Sequence, residues 1–316
     1  MIGWHSCADP EAAAMPDPAT AHWVHNLDPF ALRISGEFGL RWYGLSYLLG
    51  IAGGWWLLQR WSRAGRLPMP AQQVGDLIVT IAIGIVVGGR LGYACIYEPG
   101  LFTEFTSSPP WWRLLAVHEG GMASHGGIAG VAAACWWWSW RRKQDLLVLG
   151  DALAAVAPFG LACGRLANFI NGELWGRPWD GPWAVIFPHA VPAVPRHPSQ
   201  LYAMCLEGLL ILAVLLPLHA RHRRPGLTFG LFCLLYGSGR FVGEFFREPD
   251  KGQPGFGDIP GILGFMSKGQ AWTLPLFALG AFLVWWALRR PARPEGYLEA
   301  QASAGRGNAD TPKPAG

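Results

Sequence analysis

Seven stretches of this chain are long and apolar enough to read as membrane-crossing helices, roughly 40–59, 74–97, 123–140, 146–167, 199–219, 226–246 and 271–289. About 20 mostly apolar residues span the hydrocarbon of a bilayer, and lipid tolerates only folds that satisfy every backbone polar group internally. The pattern predicts an all-α integral membrane protein with about seven transmembrane helices, the ends placed to within about four residues. The first and third stretches are the clearest, whereas Pro158 and Gly160 interrupt the fourth. Only 15% of the 316 residues are Asp, Glu, Lys or Arg, too few to cover a soluble protein of this size. The apolar content excludes a disordered chain, and the sparse basic residues exclude a nucleic-acid binder. Six cysteines occur with no C-x-x-C pair, and five lie inside apolar stretches. They read as small buried thiols, not as a disulfide framework or a zinc site.

Basic residues fall on alternate connections: Arg60, Arg63 and Arg66; Arg141, Arg142 and Lys143; Arg221, Arg223 and Arg224; Arg289, Arg290 and Arg293. The positive-inside rule then places the N-terminus outside and the C-terminus in the cytoplasm. Residues 1–36 read as an N-terminal tail with no secretory signal pattern. Residues 37–290 form the membrane domain, and 291–316 a disordered cytoplasmic tail. Segment 168–198 contains Pro178, Pro182, Pro188, Pro192, Pro195 and Pro198, so it cannot be one helix. Short strands and turns are expected there, forming a small extracytoplasmic head segment. The pairs Gly84/Gly88, Gly160/Gly164 and Gly239/Gly243 predict close helix contacts.

Charges inside a membrane span are costly, so each needs a reason. Arg90 suits either a lipid headgroup or a structural brace. For Asp76, Asp151 and Glu207, structural pairing or water contact is at least as good a reading as catalysis. Arg240, Glu244 and Arg247 fall on one face of the sixth span. Two arginines around one carboxylate leave a net positive charge suited to a bidentate contact with phosphate; a structural ion-pair column is the alternative. Arg165 and Asn168 share a face at the end of the fourth span, with Asn171 and Glu173 just beyond, which suggests a polar pocket at the interface. His125, in a Gly-rich entry to the third span, is a side-chain type suited to proton transfer near neutral pH. A lone histidine at a span end also serves as an interfacial hydrogen-bonding group. With His118 seven residues earlier and no acidic ligand set, a metal site is disfavoured.

The run from Gly164 to Gly176 resembles the signature of the bacterial phosphatidylglycerol–prolipoprotein diacylglyceryl transferase family. So do Arg41-Trp42-Tyr43-Gly44, His125-Gly126-Gly127, the run Arg196 to Tyr202, and the run Tyr236 to Asp250. These pieces come in family order and cover about residues 37–290; Ala123-Ser124 stands where an aromatic residue is expected. The resemblance implies a multi-pass enzyme of the bacterial inner membrane with its site toward the periplasm. It implies transfer of the diacylglyceryl group of phosphatidylglycerol to the lipobox cysteine thiol of a preprolipoprotein, releasing glycerol phosphate. The implied partners are that lipid, the lipobox signal peptide and the bilayer, with no cofactor and no metal. Tyr43, His125, Arg165, Asn168, Glu173, Gly176, Arg240, Glu244 and Arg247 match positions the family associates with its site. Among them Tyr43, His125, Arg165 and Arg240 are the catalytic candidates. The others, together with Arg165 and Arg240 again and Asn171 from the residue reading, are candidates for binding substrate. An anion transporter and a lipid-headgroup phosphatase are the rival classes.

Overall fold

Helices occupy the apolar stretches because each backbone bond closed inside a helix is one that lipid need not satisfy. In the computed structural model, which describes residues 22–35, 38–117, 120–221, 224–249 and 265–294, these are α1 (Trp42–Arg63), α2 (Gln72–Ile96), α3 (Ser124–Arg142) and α4 (Leu146–Ile170). A composite helix follows, from α5 (Ser199–Ala203) through a π-helical turn (Met204–Leu209) to α6 (Leu210–Arg221). Then come α7 (Leu227–Gly243) and a short α8 (Lys268–Ala271) that leads into α9 (Leu274–Arg289). Four helices, Gln72–Ile96, Leu146–Ile170, Ser199–Arg221 and Lys268–Arg289, are long and apolar enough to cross a membrane, and α7 is apolar but shorter. The chain is an all-α integral membrane protein. The two stretches that read most clearly in sequence, α1 and α3, are not among those four helices. Each ends in tryptophans and arginines that lower its apolar character.

Exposed apolar side chains cover the outside of the helices, among them Leu48, Val79, Ile83, Ile128, Trp136 and Phe282. In lipid this surface has no hydrophobic cost. Helix α4 packs against α1, α3, α6, α7 and the π-helical turn. Near its start, Leu149, Ala152, Ala155 and Val156 join Leu58 and Trp61 of α1, Leu77 of α2 and Trp138 of α3 in one buried cluster. Asp145 caps α4 by accepting from the backbone N–H groups of Leu147 and Val148. The expected interruption at Pro158 does not occur, because α4 continues to Ile170. A proline removes one backbone bond, and apolar surroundings favour keeping all the others. Asp151 is a structural carboxylate: its oxygens accept from the N–H groups of Gly226 and Phe229 at 2.8 and 2.7 Å, capping α7 from a neighbouring helix.

The glycine pairs separate. A Cβ on Gly84 would meet the Gly130 carbonyl oxygen at 2.6 Å, and one on Gly88 would lie 2.7 Å from the Gly130 Cα, so α2 and α3 touch backbone to backbone. Gly239 abuts Leu206 of the π-helical turn, whereas Gly164 faces open space and makes no such contact. Arg90 is a brace. Its guanidinium donates to the carbonyls of Arg113, Leu114, Gly120 and Gly121, tying α2 to the connection before α3.

Part of the expected tail is folded. Strand β1 (Trp23–Val24) pairs in parallel with β4 (Val185–Ile186), which pairs antiparallel with β5 (Pro195–Arg196). The hairpin of β2 (Phe30–Ser35) and β3 (Phe38–Arg41) runs straight into α1. Residues 22–35 therefore belong to the folded unit, held where His25 Nε2 donates to the Phe169 carbonyl at 2.7 Å and its ring packs on Phe187. Segment 168–198 begins with the last residues of α4 and continues as turns and short strands around Val185, Phe187 and Ala190. His118 and most of 291–316 lie outside the described residues.

Candidate active site

Three helices meet where Arg165 of α4, Arg240 of α7 and Glu207 of the π-helical turn converge. The π turn carries one more residue than an α-turn, which shifts the face that Glu207 presents. Small residues let the backbones close on it. A Cβ on Gly208 would lie 2.6 Å from that of Ala162, and one on Gly239 would lie 3.1 Å from the Leu206 carbonyl oxygen. The Glu207 side chain is fully buried. Its Oε2 accepts from Arg165 Nε and Nη2 at 3.1 and 2.8 Å, and its Oε1 lies 3.9 Å from Arg240 Nη1. One turn along α7, Glu244 Oε1 pairs with Arg240 Nη2 and lies 3.6 Å from Arg247 Nη1. Three guanidiniums thus share two buried carboxylates.

Several side chains hold this row in place. Ser267 Oγ donates to Glu244 Oε2 at 3.0 Å from the cap of α8. Gly269 gives that carboxylate room, because a Cβ there would lie 2.5 and 2.6 Å from its two oxygens. The Tyr236 hydroxyl lies within electrostatic reach of Arg165, Arg240 and Glu207, and Tyr43 within reach of Arg165. Asn168 Nδ2 donates to Glu173 Oε1 at 2.7 Å. Gln200 Nε2 and Ser199 Oγ bind the carbonyls of Glu173 and Leu174, with Leu174 in the left-handed region at φ 57°. Gly176 sits against the carbonyls of His197 and Phe246, where a Cβ would lie 2.5 and 2.6 Å from those oxygens, and it bridges to Arg247. Arg196 is buried behind this corner and binds Glu248 at 2.6 Å, so the head segment and the end of α7 are fastened together. Burial also holds the imidazole of His197, stacked on Trp179, below its ordinary pKa.

A cleft runs between Arg165, Glu207, Arg240 and Arg247, with Leu174, Ser199 and Gln200 on its rim. Its free space is about 10 Å³, room for one water. A buried positive site of this kind suits a phosphate diester, which accepts the same forked hydrogen bonds as a carboxylate. Among the described residues no group of three or more His, Cys, Asp or Glu side chains could hold a metal ion.

The family model described as prolipoprotein diacylglyceryl transferase matches residues 29–286. The chain belongs to that family. The phosphatidylglycerol–prolipoprotein diacylglyceryl transferase of Coxiella burnetii is 42% identical over 268 residues, 85% of this chain and 98% of that protein. Its counterpart in Rhodospirillum rubrum is 43% identical over 286 residues, 89% and 96% of the two chains. That of Rhodopseudomonas palustris is 43% identical over 275 residues, 83% and 91%.

The residues singled out from this family's signature fall into two groups. Arg165, Arg240, Glu244 and Arg247 form the ion-pair row, with Tyr43, Asn168, Glu173 and Gly176 close around it. His125 stands apart, exposed at the start of α3 with its ring on Trp272, 5.2 Å between centroids. Trp272 follows α8, whose Ser267 binds Glu244, so one short helix links His125 to the arginine row. Asn171 ends α4 as its C-cap, and its buried Oδ1 has no hydrogen-bond partner. Sequence reasoning left Glu207 open between structural pairing and catalysis, and passed over Ser267 and Gly269 in a Gly-rich connection. The one legible signal was a carboxylate placed inside an otherwise apolar span.

Proposed function

We propose that the chain transfers the diacylglyceryl group of phosphatidylglycerol to the lipobox cysteine thiol of preprolipoproteins, forming a thioether and releasing glycerol phosphate. Membership of the family supports this activity. The observation that carries the chemistry is the row of Arg165, Arg240 and Arg247 held by the buried carboxylates of Glu207 and Glu244. In the reaction the cysteine sulfur bonds to the glyceryl carbon as that carbon's bond to the phosphate oxygen breaks. The electron pair leaves with the phosphate, and guanidiniums fixed in a water-poor cleft stabilise it with little reorganisation. A free cysteine thiol titrates near 8.5, so the attacking thiolate also gains from a positive field.

In this reading Arg165 and Arg240 hold the phosphate, and Tyr43 lies beside it. Asn168, Asn171, Glu173, Gly176, Glu244 and Arg247 shape the headgroup pocket. His125 takes the thiol proton or binds the headgroup, and His125→Gln separates the two roles by lowering kcat or raising KM respectively. Seven helices span the bilayer with the N-terminus outside and the C-terminus in the cytoplasm, which puts the arginine row at the periplasmic face of the inner membrane. Alternation of the basic connections supports that orientation. The membrane domain covers residues 37–290, with 168–198 as its periplasmic head. There the head holds an extended peptide above the lipid, and confinement of both substrates to one interface raises their effective concentration.

The test is an assay with phosphatidylglycerol and a lipobox peptide. Glycerol phosphate release is expected to need the peptide and to stop when its cysteine becomes serine, whose hydroxyl stays protonated near neutral pH. Equal release without peptide would assign the chain to headgroup hydrolysis instead.

A further inference from the structure

At the opposite end of α4 lies a second cavity, of about 350 Å³, lined by Asp145, Leu147, Pro225, Trp286, Arg290 and Arg293. From Asp145 to Arg165 the helix rises about 30 Å at 1.5 Å per residue, close to the thickness of bilayer hydrocarbon. The two cavities therefore lie at the depths of opposite leaflets. We propose that this second cavity binds the phosphate of an anionic phospholipid whose acyl chains lie in the leaflet on that side. The site is separate from the transfer chemistry.

The arginines at this end differ in what they do. Arg224 donates to the carbonyls of Ala287, Leu288 and Arg290 and so closes the C-terminus of α9. Arg293 pairs with Asp145. Arg290 has no carboxylate partner among the described residues, and its guanidinium carbon lies over the Trp286 indole, 3.9 Å from the ring centroid. Stacking orients the guanidinium and leaves its edge N–H groups available for an oxygen anion. Arg290 adds a guanidinium to the Arg293–Asp145 pair, and here, unlike in the arginine cleft, the space is already open. Trp286 and Leu147 supply the apolar wall that the start of an acyl chain needs. A positive-inside signal requires only that arginines be present in the connection; it requires neither a cavity nor an ordered guanidinium.

The test uses the full-length chain in phosphatidylcholine nanodiscs titrated with dioleoyl phosphatidate, the retained lipid being counted by native mass spectrometry. One phosphatidate is expected to be held by the unmodified chain. Arg290→Gln should weaken its retention about fivefold, the effect of one basic residue at a membrane surface. Arg290→Lys should fall between the two, because it keeps the charge and loses the stacked plane. Arg60→Gln is the control, since Arg60 also lies near a tryptophan, Trp56, but outside the cavity. Transfer activity measured in parallel should be unchanged in Arg290→Gln, which reports an intact fold. Equal retention by the unmodified chain and Arg290→Gln overturns the proposal, as does an equal loss in Arg60→Gln. Inorganic phosphate competing as strongly as phosphatidate would also overturn it, by assigning the cavity to a soluble anion.

Discussion

Glu207 holds two arginines of the transferase at once, and its removal separates packing from chemistry. Glu207→Gln keeps the shape but leaves Arg165 facing a neutral amide in a buried place. Breaking a buried pair from one side costs about 3–5 kcal/mol, so a clear drop in Tm is expected. Turnover should fall about a hundredfold even where the protein remains folded, because misplaced charge donors cost ~3 kcal/mol of transition-state stabilisation. Near-normal turnover at reduced Tm would make Glu207 a packing residue only. Arg165→Lys and Arg240→Lys keep the charge and lose the planar fork. Each is expected to lose most activity with little change in Tm, measured at equal protein level.

Among the elements, the head segment carries a pH dependence of its own. His25 fastens the end of β1 to the last turn of α4, and burial lowers its pKa below the ordinary 6.5. The folded head therefore binds fewer protons than the unfolded one between the two values, and its stability falls as pH drops through 6.5. Corrected for the intrinsic rate, which slows on acidification, amide hydrogen exchange across residues 169–187 should accelerate between pH 7 and 5. In His25→Gln that extra acceleration should vanish; its persistence would assign the effect to another group. The α2–α3 contact is built differently, on the backbones of Gly84, Gly88, Gly126 and Gly130.

For the molecule as a whole, orientation is the property to measure. Single cysteines at 105 and 183, labelled with a membrane-impermeant maleimide from outside intact cells, should react. Those at 64 and 143 should react only after the membrane is opened. Labelling at 143 from outside would reverse the orientation and move the arginine row to the other face.

Apolar runs of bilayer length and the placement of Arg240, Glu244 and Arg247 at helical spacing were properties of the sequence alone. So was the signature from Gly164 to Gly176 that names the family. These are local facts: an apolar run becomes helical in lipid whatever its neighbours do, and residues three or four apart share a face in any helix. Partners across helices were not local. Nothing near Glu207 in the chain says that it meets Arg165 and Arg240, because that meeting needs a π turn, the contact of Gly208 with Ala162 of α4 and that of Gly239 of α7 with Leu206. The fate of Asp151 as a cap for α7, of Arg90 as a brace and of Gly164 as an unpacked glycine was likewise decided between elements. The strand at Trp23–Val24 was hidden for the same reason, since two residues gain strand structure only from the partner that Val185–Ile186 offers. Only the tertiary structure decided these, because buried charge and buried backbone take whichever partner the packing brings within reach.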